Sequence, residues 1–152
     1  MTRRRNPTFA MAVHGVPVPQ ARARTVRHNG QSHSYTPDRT AQAMEAIAWQ
    51  AKDYCPIEPF SCPLRLSVHF YLPIPQSWSK KRREDAIAGR LWPTGKPDLS
   101  NYVKLVEDAL EGMVYKNDSQ IVKMGESGKH YSTMPMTVIE VFELELEESR
   151  HE

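Results

Sequence analysis

Between Leu64 and Leu72 the chain alternates without a break. Leu64, Leu66, Val68, Phe70 and Leu72 take every second position, with Arg65, Ser67, His69 and Tyr71 between them. Successive side chains of a strand point to opposite faces, so this pattern requires a sheet with one face turned to a core. Pro73 and Pro75 end the strand, because proline has no N–H for a ladder. His69 falls on the polar side and reads as a half-exposed strand residue rather than a ligand.

The remaining chain must supply partners and cover for that strand. Residues 8–16 place Phe9, Met11 and Val13 on one side and predict a first strand. Pro17-Val18-Pro19-Gln20-Ala21-Arg22-Ala23-Arg24 cannot continue a central strand. Asn29-Gly30 is a hairpin turn between two short polar stretches. Thr36 reads as an N-cap with Pro37 in the first helical position, and Ala41, Met44, Ala48 and Ala51 predict a helix over 37–53. A short basic helix is expected over 79–89, capped by Ser77 or Ser79, followed by a loop over 90–97. Leu99, Val103, Val106, Leu110 and Met113 form the apolar stripe of a helix over 99–111, with Gly112 as its C-terminal cap. Strands are expected over 119–124, 129–132 and 136–146, with a turn at Gly125 to Gly128. The order β-(hairpin)-α-β-α-α-β-β-β predicts an α+β (mixed α/β) fold: a single sheet of about four to five strands with helices packed on one face.

The 152 residues argue for one domain, 1–152, with flexible ends at 1–7 and 147–152. Cys55 and Cys62 have neither metal-ligand nor redox spacing, as expected of free thiols in a cytoplasmic protein. No apolar run approaches the ~20 residues of a membrane span. Arg3-Arg4-Arg5 is not followed by an apolar segment, so secretion is not expected. The net charge of +2 is unevenly spread: residues 1–104 carry +9 and residues 105–152 carry −7. That asymmetry suggests a polyanion-binding surface built from the first two-thirds, unless folding mixes the two parts.

Chemistry concentrates in Lys96-Pro97-Asp98-Leu99-Ser100-Asn101-Tyr102-Val103-Lys104, then Asp108, then Asn117-Asp118-Ser119-Gln120. Mg²⁺ takes oxygen ligands, typically one or two carboxylates plus phosphate oxygens. A nearby lysine can offset charge developing on a phosphodiester. Each piece has a plainer meaning too. Asp98 and Asp118 follow turn-forming contexts where aspartate is common. Asn101, Lys104 and Asp108 share a sector of about 60° and could be a solvated helix face. Lys80-Lys81-Arg82-Arg83 could likewise be solvated, beside a half-buried Trp78. Arg22 and Arg24, projecting together, suit phosphate better than a core.

Taken in order, these motifs resemble the RusA family of Holliday-junction resolvases, often carried by prophages. The resemblance runs from about residue 9 to 140 and includes Tyr35-Thr36-Pro37 and Pro75-Gln76-Ser77-Trp78-Ser79-Lys80-Lys81. Its strongest part is Lys96-Pro97-Asp98-Leu99-Ser100-Asn101, Lys104, Asp108-Ala109-Leu110-Glu111-Gly112 and Asn117-Asp118-Ser119-Gln120-Ile121. The resemblance implies a homodimeric, Mg²⁺-dependent endonuclease (hydrolase) of DNA recombination and repair that cuts branched DNA by paired symmetric nicks. It implies catalytic roles for Asp98, Asp118 and Lys104, with Asp98 and Asp118 as metal ligands. Arg22, Arg24, Lys80, Lys81, Arg82 and Lys96 become the expected DNA contacts. Two departures stand out. Ser100 falls where the family has a second aspartate, and Asn117 falls on the first aspartate of Asp-Asp-x-Gln. Losing a carboxylate at 100 implies weaker Mg²⁺ binding, a preference for Mn²⁺, or a junction-binding protein with weak or no cleavage. Asp108 or Asn101 could complete the site instead.

Overall fold

The computed structural model describes residues 6–21, 24–35 and 38–144. Its elements are β1 (Phe9–His14), β2 (Arg24–His28), β3 (Gln31–Tyr35), α1 (Asp38–Ala51), β4 (Leu64–Pro73), α2 (Lys80–Ile87) and α3 (Leu99–Leu110). A 3₁₀ turn (Asp118–Gln120), β5 (Ile121–Met124), β6 (Gly128–Ser132) and β7 (Met136–Glu143) follow. This is the α+β order expected from the hydrophobic pattern. Thr36, Pro37 and the chain beyond 144 lie outside the described residues, as do Arg3 to Arg5.

The sheet has five strands. β7 lies between β1 and β4, antiparallel to both, and β5 and β6 share the far edge of β4. β4 is thus central, and its alternate residues Leu64, Leu66, Val68 and Phe70 are all buried. They meet Phe9, Met11 and Val13 of β1 and Ile139 and Val141 of β7 in one core with α1 and α3. β2 and β3 form a separate ribbon. Asn29 and Gly30 both have positive φ (50° and 79°), as a two-residue hairpin with right-handed twist requires.

Two details differ from the sequence reading. The buried side of α1 carries Thr40, Ile47 and Ala51, with Ala43 and Met44 packed against the core. The face is rotated by about one residue from the one the alanine spacing predicts, with Thr40 and Ile47 buried in place of Ala41 and Ala48. Gly125 to Gly128 does not reverse the chain either: β5 and β6 both run parallel to β4. The Gly125 N–H bonds the Leu66 carbonyl at 2.7 Å, and the Ser127 hydroxyl accepts from the Val68 N–H at 3.1 Å. These bonds hold the interrupted segment on the edge of β4. A β-carbon at Gly125 would meet the Ser67 hydroxyl as it is now placed, so a larger residue there would require Ser67 to turn aside.

Candidate active site

α3 carries the site because its two sides are so unlike. Tyr102, Val103, Leu105, Val106, Ala109 and Leu110 are buried. Lys104 is exposed and Asp108 half-exposed on the other side. The helix is N-capped by Asp98, whose side chain makes no cap hydrogen bond. Among the described residues its carboxylate is exposed and makes no hydrogen bond or ion pair, at the end of the helix whose dipole favours an anion. Ser100 is exposed in the first turn.

The other end is densely bonded. The Lys104 ammonium lies 3.1 Å from Asp108 Oδ1, one turn along, and 3.1 Å from Asp118 Oδ2. Asp118 is brought back by the turn after α3. Gly112, at φ +85°, ends the helix. Phe60 N–H then bonds the Val114 carbonyl at 2.8 Å, and the buried Tyr115 hydroxyl donates to the Glu107 carbonyl. Asn117 accepts from the Ser119 N–H at 2.9 Å, and Gln120 closes a capping box with the Asn117 N–H. Gln120 also donates to the carbonyls of Phe60 and Cys62 at 2.7 and 3.0 Å. Asn117 and Gln120 thus do the structural work of the motif, and Asp118 is left to face Lys104. An asparagine serves this capping role as well as an aspartate, so the departure at 117 is accommodated locally.

One oxygen each from Asp108, Glu111 and Asp118 lie within 4.8 Å of one another. Sequence reasoning weighed Asp108 and gave Glu111 no role. The available signal was spacing, since Lys104, Asp108 and Glu111 at i, i+4 and i+7 share one helix stripe. Glu111 also accepts from the Asp118 N–H at 3.2 Å. Asp98 is not in that cluster; it precedes Asp108 by about 15 Å of helix rise. The structure therefore joins Lys104 with Asp118, and places Asp98 with Lys96 at the opposite end of α3.

The local field follows from this arrangement. Hydrogen bonds that Lys104 donates to Asp118 and Asp108 hold the pKa of its ammonium well above the ordinary lysine range. Burial pushes the Glu107 carboxyl up, Lys104 opposes the shift, and Asp118 and Asp108 add to it. A groove of about 540 Å³ opens beside Lys104 and Glu107, bounded by Leu99, Ser100 and Val103 of α3 and by Met124 and Ser127 on the sheet edge.

The expected DNA contacts lie on separate segments of the chain. Lys96 is exposed in the turn before Asp98. Lys80, Lys81 and Arg82 are exposed on α2, which is capped by the Ser79 hydroxyl accepting from Arg82 N–H at 3.2 Å. The Arg82 guanidinium sits 3.9 Å over the Trp78 ring, and Trp78 is half-buried with its edge to Tyr131. Arg22 lies outside the described residues; Arg24 opens β2, and its side chain is outside them too. The strap leading to that pair is anchored, since Gln20 N–H bonds the Asn101 carbonyl at 2.9 Å in the first turn of α3.

Residues 14–142 match the family profile described as Endodeoxyribonuclease RusA. The chain is also 39% identical over 134 residues to the uncharacterised protein YqaN of Bacillus subtilis (strain 168), a match covering 87% of this chain and 94% of that relative.

Proposed function

From the premise that this chain belongs to the RusA endodeoxyribonuclease family, we propose that it is a Mg²⁺-dependent, structure-selective endonuclease. It resolves four-way DNA junctions by paired symmetric nicks, in the cytoplasm, during DNA recombination and repair. The observation that carries this reading is the Lys104 ammonium held between Asp108 and Asp118 at 3.1 Å from each. A cation already sits among carboxylate oxygens there, and hard oxygens are the donors Mg²⁺ takes, so the residues fit the ion. No other described element gathers three metal-competent side chains.

In this reading Asp118, with Asp108 beside it, would hold Mg²⁺ or Mn²⁺, and Asp98 would be a metal-holding carboxylate at the opposite end of α3, not a ligand of that same ion in this geometry. When bound, the ion polarises a phosphate oxygen and makes a water nucleophilic near neutral pH. The protein does the rest. Asp98 offers an exposed carboxylate that makes no cap hydrogen bond. Lys104 offsets charge developing on the scissile phosphate. Lys96 meets the backbone next to Asp98, while Lys80, Lys81 and Arg82 of α2, with Arg22 and Arg24 beyond the Gln20 anchor, extend the track. Lysines in the first turn of α2 oppose its dipole, a cost that phosphate contact would offset. Contact by charge and shape, without base reading, suits a branched substrate.

Paired symmetric nicks require two sites related by a two-fold axis, so the active form is a homodimer. A second reading follows from Ser100, which presents a hydroxyl where a carboxylate would add charge: a junction-binding protein that cuts weakly or not at all. Cleavage of a synthetic four-way junction with Mg²⁺ or Mn²⁺ decides between them. Paired nicks support the enzyme, and tight junction binding with intact arms supports the second reading. A monomeric mass at micromolar concentration, with and without DNA, would count against both nicks coming from one particle.

A further inference from the structure

Lys129 belongs to none of the motifs above. It sits in β6 directly opposite Phe70 of β4, so it leaves the sheet on the core-facing side. Its ammonium donates to the Gly95 carbonyl at 2.9 Å and to the Pro97 carbonyl at 3.0 Å. Those two carbonyls flank Lys96, and the second belongs to the peptide unit that ends at the Asp98 nitrogen. Among the described residues, no backbone–backbone hydrogen bond involves Leu91 to Pro97. The turn is thus tied to the rest of the fold, among the described residues and in hydrogen-bonding terms, by one lysine from a strand more than thirty residues away. Lys129 also has no carboxylate within ion-pair distance among the described residues. Its charge serves the two peptide oxygens.

The consequence falls on Asp98. Its side chain has no cap bond to orient it, so its place is set by its main chain. On the C-terminal side that is α3. On the N-terminal side it is the turn that Lys129 grips. We propose that Lys129 is a positioning residue for Asp98: it fixes the Gly95–Pro97 turn and so sets the carboxylate against the metal and the scissile phosphate. This rests on the reading of Asp98 as a metal-holding carboxylate. It also turns Lys96 outward, because the carbonyls on either side of Lys96 face inward to the ammonium.

The test compares the wild type with Lys129→Met, Lys129→Arg, Asp98→Asn and the double variant Lys129→Met/Asp98→Asn. Each full-length protein is assayed for cleavage of a synthetic four-way junction, for Mn²⁺ affinity by titration calorimetry, and for melting temperature. Expected for Lys129→Met is a kcat at least 30-fold lower, a junction KM within threefold of wild type, and Mn²⁺ affinity weakened at least threefold. Its melting temperature should stay within a few degrees, and Lys129→Arg should recover most of the rate, since a guanidinium can also donate to two carbonyls. The double variant should cut no more slowly than Asp98→Asn alone. The proposal is overturned if Lys129→Met cuts within twofold of wild type, if its defect lies in KM rather than kcat, or if its defect multiplies that of Asp98→Asn. Those results with an inactive Asp98→Asn leave the role of Asp98 standing. A fully active Asp98→Asn removes that role and the positioning role with it.

Discussion

The two ends of α3 are built on opposite principles. At the N-terminal end Asp98 is exposed and makes no cap hydrogen bond, and it is placed by its main chain and by a turn tied down from β6. At the C-terminal end Asp108, Glu111 and Asp118 crowd together and are knitted by Lys104 and by the Asp118 N–H. The electrostatics are opposite as well. An anion at a helix N-terminus is favoured by the dipole, whereas anions in the last turn are disfavoured, and the last turn of α3 holds no basic residue. A solvated helix face has no reason to collect carboxylates at that end. Lys104 relieves the crowding in the structure, and a divalent cation would relieve it further. The comparison teaches that the first end is prepared geometrically and the second electrostatically.

The largest effects should come from the carboxylates that each end contributes. Asp98→Asn and Asp118→Asn should each lower junction cleavage by roughly 1,000-fold, the scale of losing a main electrostatic element of a transition-state site. Junction binding, measured by gel shift, should persist or tighten, because phosphate repulsion falls while the basic contacts remain. If only one of the two variants loses activity, the ends do not act together and the comparison breaks.

Next is Lys104, which touches Asp108 and Asp118 but neither Glu111 nor Asp98 in the described contacts. Lys104→Met should lower cleavage by about 100-fold through loss of charge stabilisation. It should also bind Mn²⁺ several-fold more tightly, because a resident cation no longer competes for Asp118. Tighter metal with slower cutting is an unusual pairing. Weaker Mn²⁺ binding would mean that Lys104 holds the carboxylates in place rather than opposing the ion.

Much of this was legible in the sequence, and the limits were physical. The alternation of Leu64 to Leu72 gave the central strand, and the stripe from Leu99 to Leu110 gave α3 with Lys104 and Asp108 outward. Local periodicity is strong enough for both. The return of Asp118 to Lys104 was not legible, since it depends on Phe60 bonding Val114 and on Gln120 bonding the carbonyls of Phe60 and Cys62. No window around Asp118 contains those partners. Glu111 and Lys129 look like ordinary surface charges until the turn and the sheet edge bring their partners to them. The glycines at 125 and 128 signalled a reversal, and the Ser127 hydroxyl bonded to β4 overrode it.

A smaller effect should follow from Ser100, which lies near the free end and lines the groove beside Lys104. Ser100→Asp should lower the Mg²⁺ concentration for half-maximal cleavage several-fold and raise the rate modestly, since added charge tunes affinity upward. The new carboxylate would also sit well with the helix dipole, so stability should not suffer. An unchanged metal requirement would mean that the C-terminal cluster, with Asp108, already completes the coordination.

The smallest effect separates crowding from function at the other end. Glu111 is exposed and lies at the C-cap of α3, where the dipole and two neighbouring carboxylates all oppose its charge. Its one described hydrogen bond, from the Asp118 N–H, can be accepted equally well by the amide oxygen of glutamine. Glu111→Gln therefore removes repulsion and keeps the bond. The melting temperature in low salt without divalent ions should rise by about 1–2 °C, and the gain should shrink toward zero at high ionic strength as screening shortens the reach of these charges. If Glu111 adds charge to the ion's surroundings, Mn²⁺ affinity should fall about two- to threefold in the same variant. A fall in melting temperature would mean that Glu111 stabilises the return of Asp118 by more than crowding costs. The C-terminal end would then be held by its structure, as the N-terminal end is, and the contrast between the two would reduce to which main-chain groups do the holding.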